Sequence, residues 1–293
     1  MRIDIGPDLV RALVDTQFPQ WSDLPLRRWE REGSDNVIYR LGEHLAVRLP
    51  RGEWAAGQAR KEHSWLPRLA PLLPLHVPSP VGLGEPALGY PRSWSVAQWL
   101  DGEPDVTDSE ATALDLAGFL RTLQQLPAPS TFAAGPHPEL RRGSLRDKDD
   151  RVRTAIAAVA SFFDADALVR AWERALAAPD WAGDPVWCHG DFHVGNLLSR
   201  DGRVSAVLDF GGLGYGDPAC DLDVAYTLMT PPTRAVFRGA LDLDEAAWAR
   251  GRGFALAGGV NAYAAYGATE PRVAAQTTHQ LTEILAEDAA MER

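Results

Sequence analysis

Two kinds of hydrophobic pattern divide the chain, and the change falls near residue 100. Before it, apolar positions run in short strand-like blocks closed by Gly and Pro. In His44 to Leu49, Leu45, Val47 and Leu49 share one face, while His44, Ala46 and Arg48 share the other. Val37 to Leu41 precedes it as a strand, joined by a turn at Gly42-Glu43. Leu26 to Glu32 is a further candidate strand, separated from the pair by the turn cluster Gly33-Ser34-Asp35-Asn36. Together these predict an antiparallel meander with a Gly/Ser loop in its first hairpin. A short helix is expected at Leu9 to Phe18. Another, from Gly52 to a stop at Pro67, puts Ala55, Ala59, Glu62 and Leu66 on one stripe. A proline-rich connection leaves room for a short strand at Val81 to Leu83, and Trp94 to Leu100 is a stronger one.

After Asp101-Gly102-Glu103-Pro104 the period becomes helical. Helices are expected at Asp108–Leu126, Arg151–Phe163, Ala165–Ala178, Ala219–Met229, Leu243–Tyr266 and Arg272–Ala289. Pro127 to Pro138 reads as a loop and Arg141 to Asp150 as a solvated charged link. The expectation is an α+β protein with a strand-rich domain over 1–100 and a helix-rich domain over 101–293.

Charge sharpens that division. Residues 1–100 carry 12 basic and 11 acidic side chains, and residues 101–293 carry 17 and 29, so the second part holds the excess behind the net charge of -11. This argues against a nucleic-acid partner and fits a cationic ligand in the second part. No apolar run approaches the roughly 20 residues of a membrane helix. The charged N-terminus lacks the apolar core of a secretion signal. Cys188 and Cys220 sit in apolar settings, as free thiols would in a reducing cytoplasm. Only Lys61 and Lys148 are lysines among 29 basic residues.

The chemistry concentrates between Val186 and Tyr226. Val186-Trp187-Cys188 is a short strand that ends at His189-Gly190-Asp191, and Asn196 follows Asp191 by five positions. Leu197-Leu198 and Val204 to Leu208 read as strands joined by a turn at Asp201-Gly202, and the second ends at Asp209. Two oxygen ligands at strand ends suit Mg²⁺, a hard cation that keeps substrate phosphates in its shell. A further carboxylate can orient a hydroxyl and accept its proton. Upstream, Glu62 lies within an apolar helical stripe and needs a partner, for which Arg48 on the preceding strand is the candidate. The series His189-x-Asp191-x-His193 also resembles a metal-hydrolase cluster, but that reading leaves Asn196 and Asp209 unexplained.

The order H-x-D-x4-N…D-F-G matches the protein-kinase signature in spacing. With His189 to Asn196, Leu208 to Gly211 and Gly216 to Leu222, the chain resembles the aminoglycoside phosphotransferase family, small-molecule kinases related to choline kinases. The resemblance implies a bilobal protein-kinase-like fold, ATP or GTP as donor, Mg²⁺, and a small hydroxylated acceptor such as an aminoglycoside or other antibiotic. It implies that Asp191 is the catalytic base or hydroxyl orienter and that Asn196 and Asp209 bind magnesium. Arg48, in the Ala46-x-Arg48 arrangement, would stand for the phosphate-contacting lysine and be held by Glu62. Gly33 and Ser34 would lie over the phosphates, and the segment from Gln98 to Leu100 would offer backbone groups to the base. Asp217 and Asp221 would be structural. The departures are Arg48 for Lys, Val194 for the usual Pro, and a first loop with Gly33 as its only glycine. The Arg48 departure motivates a second reading, a kinase-like protein that binds nucleotide or a small ligand without transfer.

Overall fold

The computed structural model describes residues 4–30, 33–127, 140 and 143–291. The end of the expected first strand at Glu32, most of the Pro127 to Pro138 loop, and Arg141 lie outside the described residues. The chain divides into two compact units. One holds residues up to Glu103 together with Ser205–Gly212, and the other holds Pro104–Val204 and the chain from Leu213 on.

The first unit is built on a five-stranded antiparallel sheet of β1 (Leu26–Arg28), β2 (Asn36–Leu41), β3 (Leu45–Pro50), β4 (Pro80–Gly84) and β5 (Trp94–Gln98), in the order β1-β2-β3-β5-β4. The alternation seen in the sequence sets the register. Val37, Tyr39 and Leu41 oppose Leu49, Val47 and Leu45. Their face packs with Val10, Leu13 and Val14 of α1 (Pro7–Gln17) and with Trp94 and Val96. The opposite face carries Ile38, Arg40, Ala46 and Arg48.

The helix expected from Gly52 to Leu66 is two elements. Gly57 has φ 89°, in the left-handed region that a helix cannot contain, so a 3-10 turn at Glu53–Ala55 precedes α2 (Gln58–Leu69). Pro67 does not stop α2 but sits inside its last turn. There its missing N–H forfeits one bond near an end that frays into a 3-10 turn at Ala70–Leu72. The stripe survives the break: Ala55, Ala59, Glu62 and Leu66 are all buried.

The second unit is mostly helical: α3 (Glu110–Gln125), α4 (Asp149–Val159), α5 (Ala165–Ala177), α6 (Val224–Thr227), α7 (Pro231–Ala240), α8 (Glu245–Tyr266) and α9 (Pro271–Met291). Ser109, Asp164 and Asp244 cap α3, α5 and α8 by accepting from backbone amides three residues on. Helix α8 is the element around which this unit packs, buried along most of Ala247 to Val260. A Cβ at Gly253 would stand 2.6 Å from that of Ala175, so glycine there permits the close approach of α5. No helix among the described residues is long and apolar enough to cross a membrane.

Two expectations change in this unit. The helix expected at Ala219 to Met229 is a 3-10 turn at Pro218–Asp221 followed by the single turn of α6, because the Asp221 and Asp223 carboxylates turn to distant partners. Helix α7 was not anticipated. Its double proline, Pro231-Pro232, is a helix start rather than a break, since the first N–H groups have no intrahelical partner. The expected strand β6 (Val186–Cys188) pairs with β9 (Gly214–Gly216), which is too short to show in any pattern. Between them run β7 (Leu197–Arg200) and β8 (Arg203–Val207). The turn that joins these two has Asp201 and Gly202 at φ 52° and 75°, as the Asp-Gly pair implied.

Candidate active site

In the first unit, three side chains from distant parts of the sequence meet. Arg48 lies on β3, Glu62 on the buried stripe of α2, and Asp209 just beyond β8. The Arg48 guanidinium donates through Nη1 to Glu62 Oε2 at 2.6 Å and through Nη2 to Asp209 Oδ1 at 3.1 Å. Arg48 and Glu62 are buried. Burial opposes the arginine's charge, but Glu62 and Asp209 more than offset it and raise its pKa. Burial also lifts the Glu62 carboxyl above its usual range, against the pull of Arg48. A lysine offers a point charge, whereas the planar fork reaches both carboxylates with separate nitrogens. The arginine therefore does structural work at this position that the residue alone did not announce.

Asp209 is held in an uncommon backbone state, with φ 58°. Aspartate tolerates this region better than most residues, and such strain persists where the surroundings over-determine it. The Gly211 amide donates to Asp209 Oδ1 at 3.3 Å, and Lys61 Nζ donates to the Gly211 carbonyl at 2.5 Å. A Cβ on Gly211 would stand 2.7 Å from Gln58. Gln58 in turn donates to Asp35 Oδ2 at 2.7 Å, and Asp35 Oδ1 accepts from Trp54 Nε1 at 3.1 Å and Ser34 Oγ at 3.0 Å. The Gly33-Ser34 loop is thus tied through Asp35 to the start of α2.

The second unit carries the other group. Asp191 follows Gly190, whose φ of 83° makes the sharp exit from β6. The loop is fixed from beneath by the fully buried Asp221, which accepts from the His189 amide through Oδ2 at 2.7 Å and from the Gly190 amide through Oδ1 at 2.6 Å. Buried His189 accepts the Asp191 amide at Nδ1, 3.2 Å, which makes it a scaffold for the loop. Asn196 Nδ2 donates to the Asp191 carbonyl at 2.9 Å and to Asp191 Oδ2 at 3.0 Å. His193 Nε2 stands 3.6 Å from the same oxygen. Desolvation opposes ionisation of Asp191, yet His193, with His189 and Asn196, brings its pKa down to about 2. The side chain stays 55% exposed, open to a reactant. Asp217 caps the turn after β9 and pairs with buried Arg250 at 2.6 Å.

The structure thus brings together Arg48, Glu62 and Asp209, and separately Asp191 and Asn196. Ala46 shares the strand and face of Arg48. Gly33 and Ser34 lie in the exposed loop before β2. The Gln98 amide donates to Ser79 O at 2.9 Å at the end of β5, and half-buried Leu100 follows it. The sequence reading missed Asp35, Gln58 and Lys61, and on α9 Gln276 and Gln280. Lys61, one of two lysines and next to Glu62, carried the one visible signal.

The donor sets can be tested against magnesium. Asn196 turns its amide nitrogen onto Asp191, which leaves its carbonyl oxygen as the ligand atom. Asp209 has Oδ1 engaged by Arg48 and Gly211, which leaves Oδ2. Each is a hard oxygen donor of the kind Mg²⁺ takes.

A five-stranded antiparallel sheet with a buried strand-to-helix ion pair, and a helical unit with an H-x-D-x4-N loop, define the class of kinase-like phosphotransferases. Residues 30–254 match the model of the phosphotransferase enzyme family, APH, and the chain belongs to that family. It is 29% identical over 121 residues to aminoglycoside 3'-phosphotransferase from Escherichia coli, a match that covers 39% of this chain and 42% of that protein, less than half of either. The GDP complex of wild-type aminoglycoside 2'-phosphotransferase-IIIa superimposes with a TM-score of 0.72 at 20% identity, over 97% of this chain and all of that one (100%). Macrolide 2'-phosphotransferase MphH from Brachybacterium faecium, an apoenzyme, gives 0.62 at 24% identity, over 94% and 98%. The fold is that of these enzymes, α+β and kinase-like, as the sequence motifs implied.

Proposed function

We propose that the protein transfers the γ-phosphoryl group of ATP or GTP to a hydroxyl of a small molecule. The observation that carries this reading is the buried Arg48–Glu62 pair extended to Asp209. A buried ion pair gains little stability over apolar packing, so its retention with a strained Asp209 points to a working role. Family membership and the exposed, strongly ionised Asp191 support it.

Asp191 orients the acceptor hydroxyl and takes its proton as the oxygen attacks the γ-phosphorus. Arg48 contacts the donor phosphates, with Glu62 as its counter-charge. Gly33 and Ser34 cover the phosphates, Ala46 lies under the base, and the segment from Gln98 to Leu100 offers it backbone groups. Asn196 and Asp209 would hold Mg²⁺, which would neutralise charge on the transferred group. The acceptor is a hydroxylated, cationic compound of the aminoglycoside type, favoured by the 12 excess negative charges of residues 101–293 and by the relatives. Macrolides are the neighbouring class. The protein works in the cytoplasm, where nucleoside triphosphates are plentiful, and needs neither nucleic acid nor membrane. Domain 1–100, completed by Ser205–Gly212, serves the nucleotide, and the rest of domain 101–293 serves the acceptor.

The test is nucleotide consumption with ATP and with GTP across a panel of aminoglycosides and macrolides. Acceptor-dependent release of diphosphate is expected, and its absence across the panel with both donors would refute the reading. A specific observation favours a second reading, non-catalytic binding: Arg48 already occupies Asp209 Oδ1. If wild type binds nucleotide without turnover and Arg48→Lys gains turnover, the second reading holds.

A further inference from the structure

The C-terminal helix α9 lies beyond the family match, yet it reaches the Asp191 loop. On one face, four residues apart, it presents Gln276 and Gln280. Gln280 Nε2 donates to Asp223 Oδ1 at 2.6 Å and to the Ala255 carbonyl at 2.8 Å. Gln276 Nε2 lies 3.2 Å from His193 Nδ1. The same Nδ1 accepts from the Gly195 amide at 3.1 Å.

These contacts fix the imidazole. A backbone N–H can only donate, so Nδ1 is an acceptor, and the neutral ring carries its proton on Nε2. That nitrogen is the one 3.6 Å from Asp191 Oδ2. The distance is long for a hydrogen bond and short enough for the N–H dipole to act on the carboxylate. Oδ2 also receives Asn196 Nδ2. With Oδ2 accepting from Asn196 and faced by the His193 N–H, Oδ1 is the oxygen left to take the hydroxyl proton. The packing is close enough to require glycine at 195, because a Cβ there would stand 2.7 Å from His193 Cε1.

We infer that Gln276 is a positioning residue for the reaction: from α9 it holds His193 in the tautomer whose Nε2–H faces Asp191, and so selects which carboxylate oxygen meets the acceptor. Helix α9 thereby sets the alignment of a loop 83 residues earlier in the chain. The inference rests on the role of Asp191 proposed above, and its test separates the two.

The tautomer is read from the imidazole nitrogens of the full chain labelled with ¹⁵N-histidine, with the His193 signals identified by their loss in His193→Gln. Wild type is expected to show an unprotonated Nδ1 and a protonated Nε2. Gln276→Glu sets an acceptor oxygen against Nδ1 and is expected to move the proton there. With kanamycin and GTP as probes, Gln276→Glu and His193→Leu are each expected to lower kcat about tenfold and leave the GTP KM within about twofold. His193→Gln, which keeps an N–H near the Nε2 position, is expected to recover most of the loss. A wild-type His193 protonated on Nδ1, or a Gln276→Glu protein with the wild-type imidazole signals, overturns the inference. So does a shifted tautomer with unchanged kcat. If kanamycin is not phosphorylated at all, the acceptor reading fails at that substrate, while the imidazole signals still decide the role of Gln276.

Discussion

Asp209 and Asp191 are the same kind of residue held by opposite means. Asp209 is held by charge: a guanidinium from β3, itself anchored by Glu62, with the backbone strained at φ 58°. Asp191 is held by geometry: its own amide rests on His189, and the two amides before it rest on Asp221. A charge-held carboxylate can exchange partners when a competing cation or phosphate arrives, because the interaction is long-ranged and weakly directional. An amide-held loop keeps one shape until its acceptor is removed. The first suits a residue that rearranges around nucleotide and metal, and the second suits one that must keep a fixed aim.

The contrast can be broken from its strongest point downward. Asp191→Asn should lower kcat about 10²–10⁴-fold while nucleotide affinity, measured by calorimetry, stays near wild type. Comparable turnover in this variant would remove Asp191 from the chemistry. Next, Asp221→Ala strands two buried amides. It should cost about 2–4 kcal/mol in denaturant unfolding, since each unsatisfied buried group carries its own desolvation cost. Any folded fraction should show lowered kcat with an unchanged nucleotide KM. Glu62→Gln acts on the other mode. It should raise the nucleotide KM about tenfold and change kcat less, because Arg48 keeps Asp209 as its remaining counter-charge. If Glu62→Gln and Asp221→Ala changed the same kinetic parameter, the two modes would not be distinct.

The smallest effect concerns Asp223 beside the amide-held loop. Burial, with Asp191 and Asp221 adding to it and His193 and Gln280 opposing, pushes its pKa up to about 7, well above the ordinary aspartate range. The native state therefore binds more protons than the unfolded chain between roughly pH 4 and 7. Stability falls as pH rises through that window, and the penalty is full above it. Asp223→Asn keeps an oxygen for Gln280 and lacks the charge. It should flatten the slope and stabilise the protein by ~2 kcal/mol at pH 8, read from melting curves between pH 5 and 8. A wild-type stability that does not vary across this range would show that Asp223 titrates normally.

What the sequence disclosed divides along the same line. Alternation from Val37 to Leu49 was enough for the strands and their register, because a period of two admits one buried face. The spacing of Asp191, Asn196 and Asp209 was enough to point to the family. The broken helix at Gly57 was hidden because its stripe of Ala55, Ala59, Glu62 and Leu66 stays buried on either side of the break. Helix α7 was hidden because Pro231-Pro232 reads as an interruption until it is seen at a helix start. The supports of the Asp191 loop were only partly legible. Asp221 stood out within its motif, but Gln276 and Gln280 are unremarkable polar residues on a C-terminal helix, and nothing local marks a partner 83 or 57 residues away.

The short segment Ser205–Gly212 belongs to the first unit although a hundred residues of the second precede it. It supplies Asp209 to Arg48, the Gly211 carbonyl to Lys61, and backbone partners at Ser205 and Val207 to His76. During synthesis the first unit therefore emerges unfinished. Its buried arginine has Glu62 but lacks Asp209 while the ribosome adds roughly a hundred more residues, about 5–20 s at ordinary elongation rates. Such long-range closure slows folding. The rate-limiting step expected in refolding is the arrival of this segment, and the first unit should be the last to mature although most of it is made before the second.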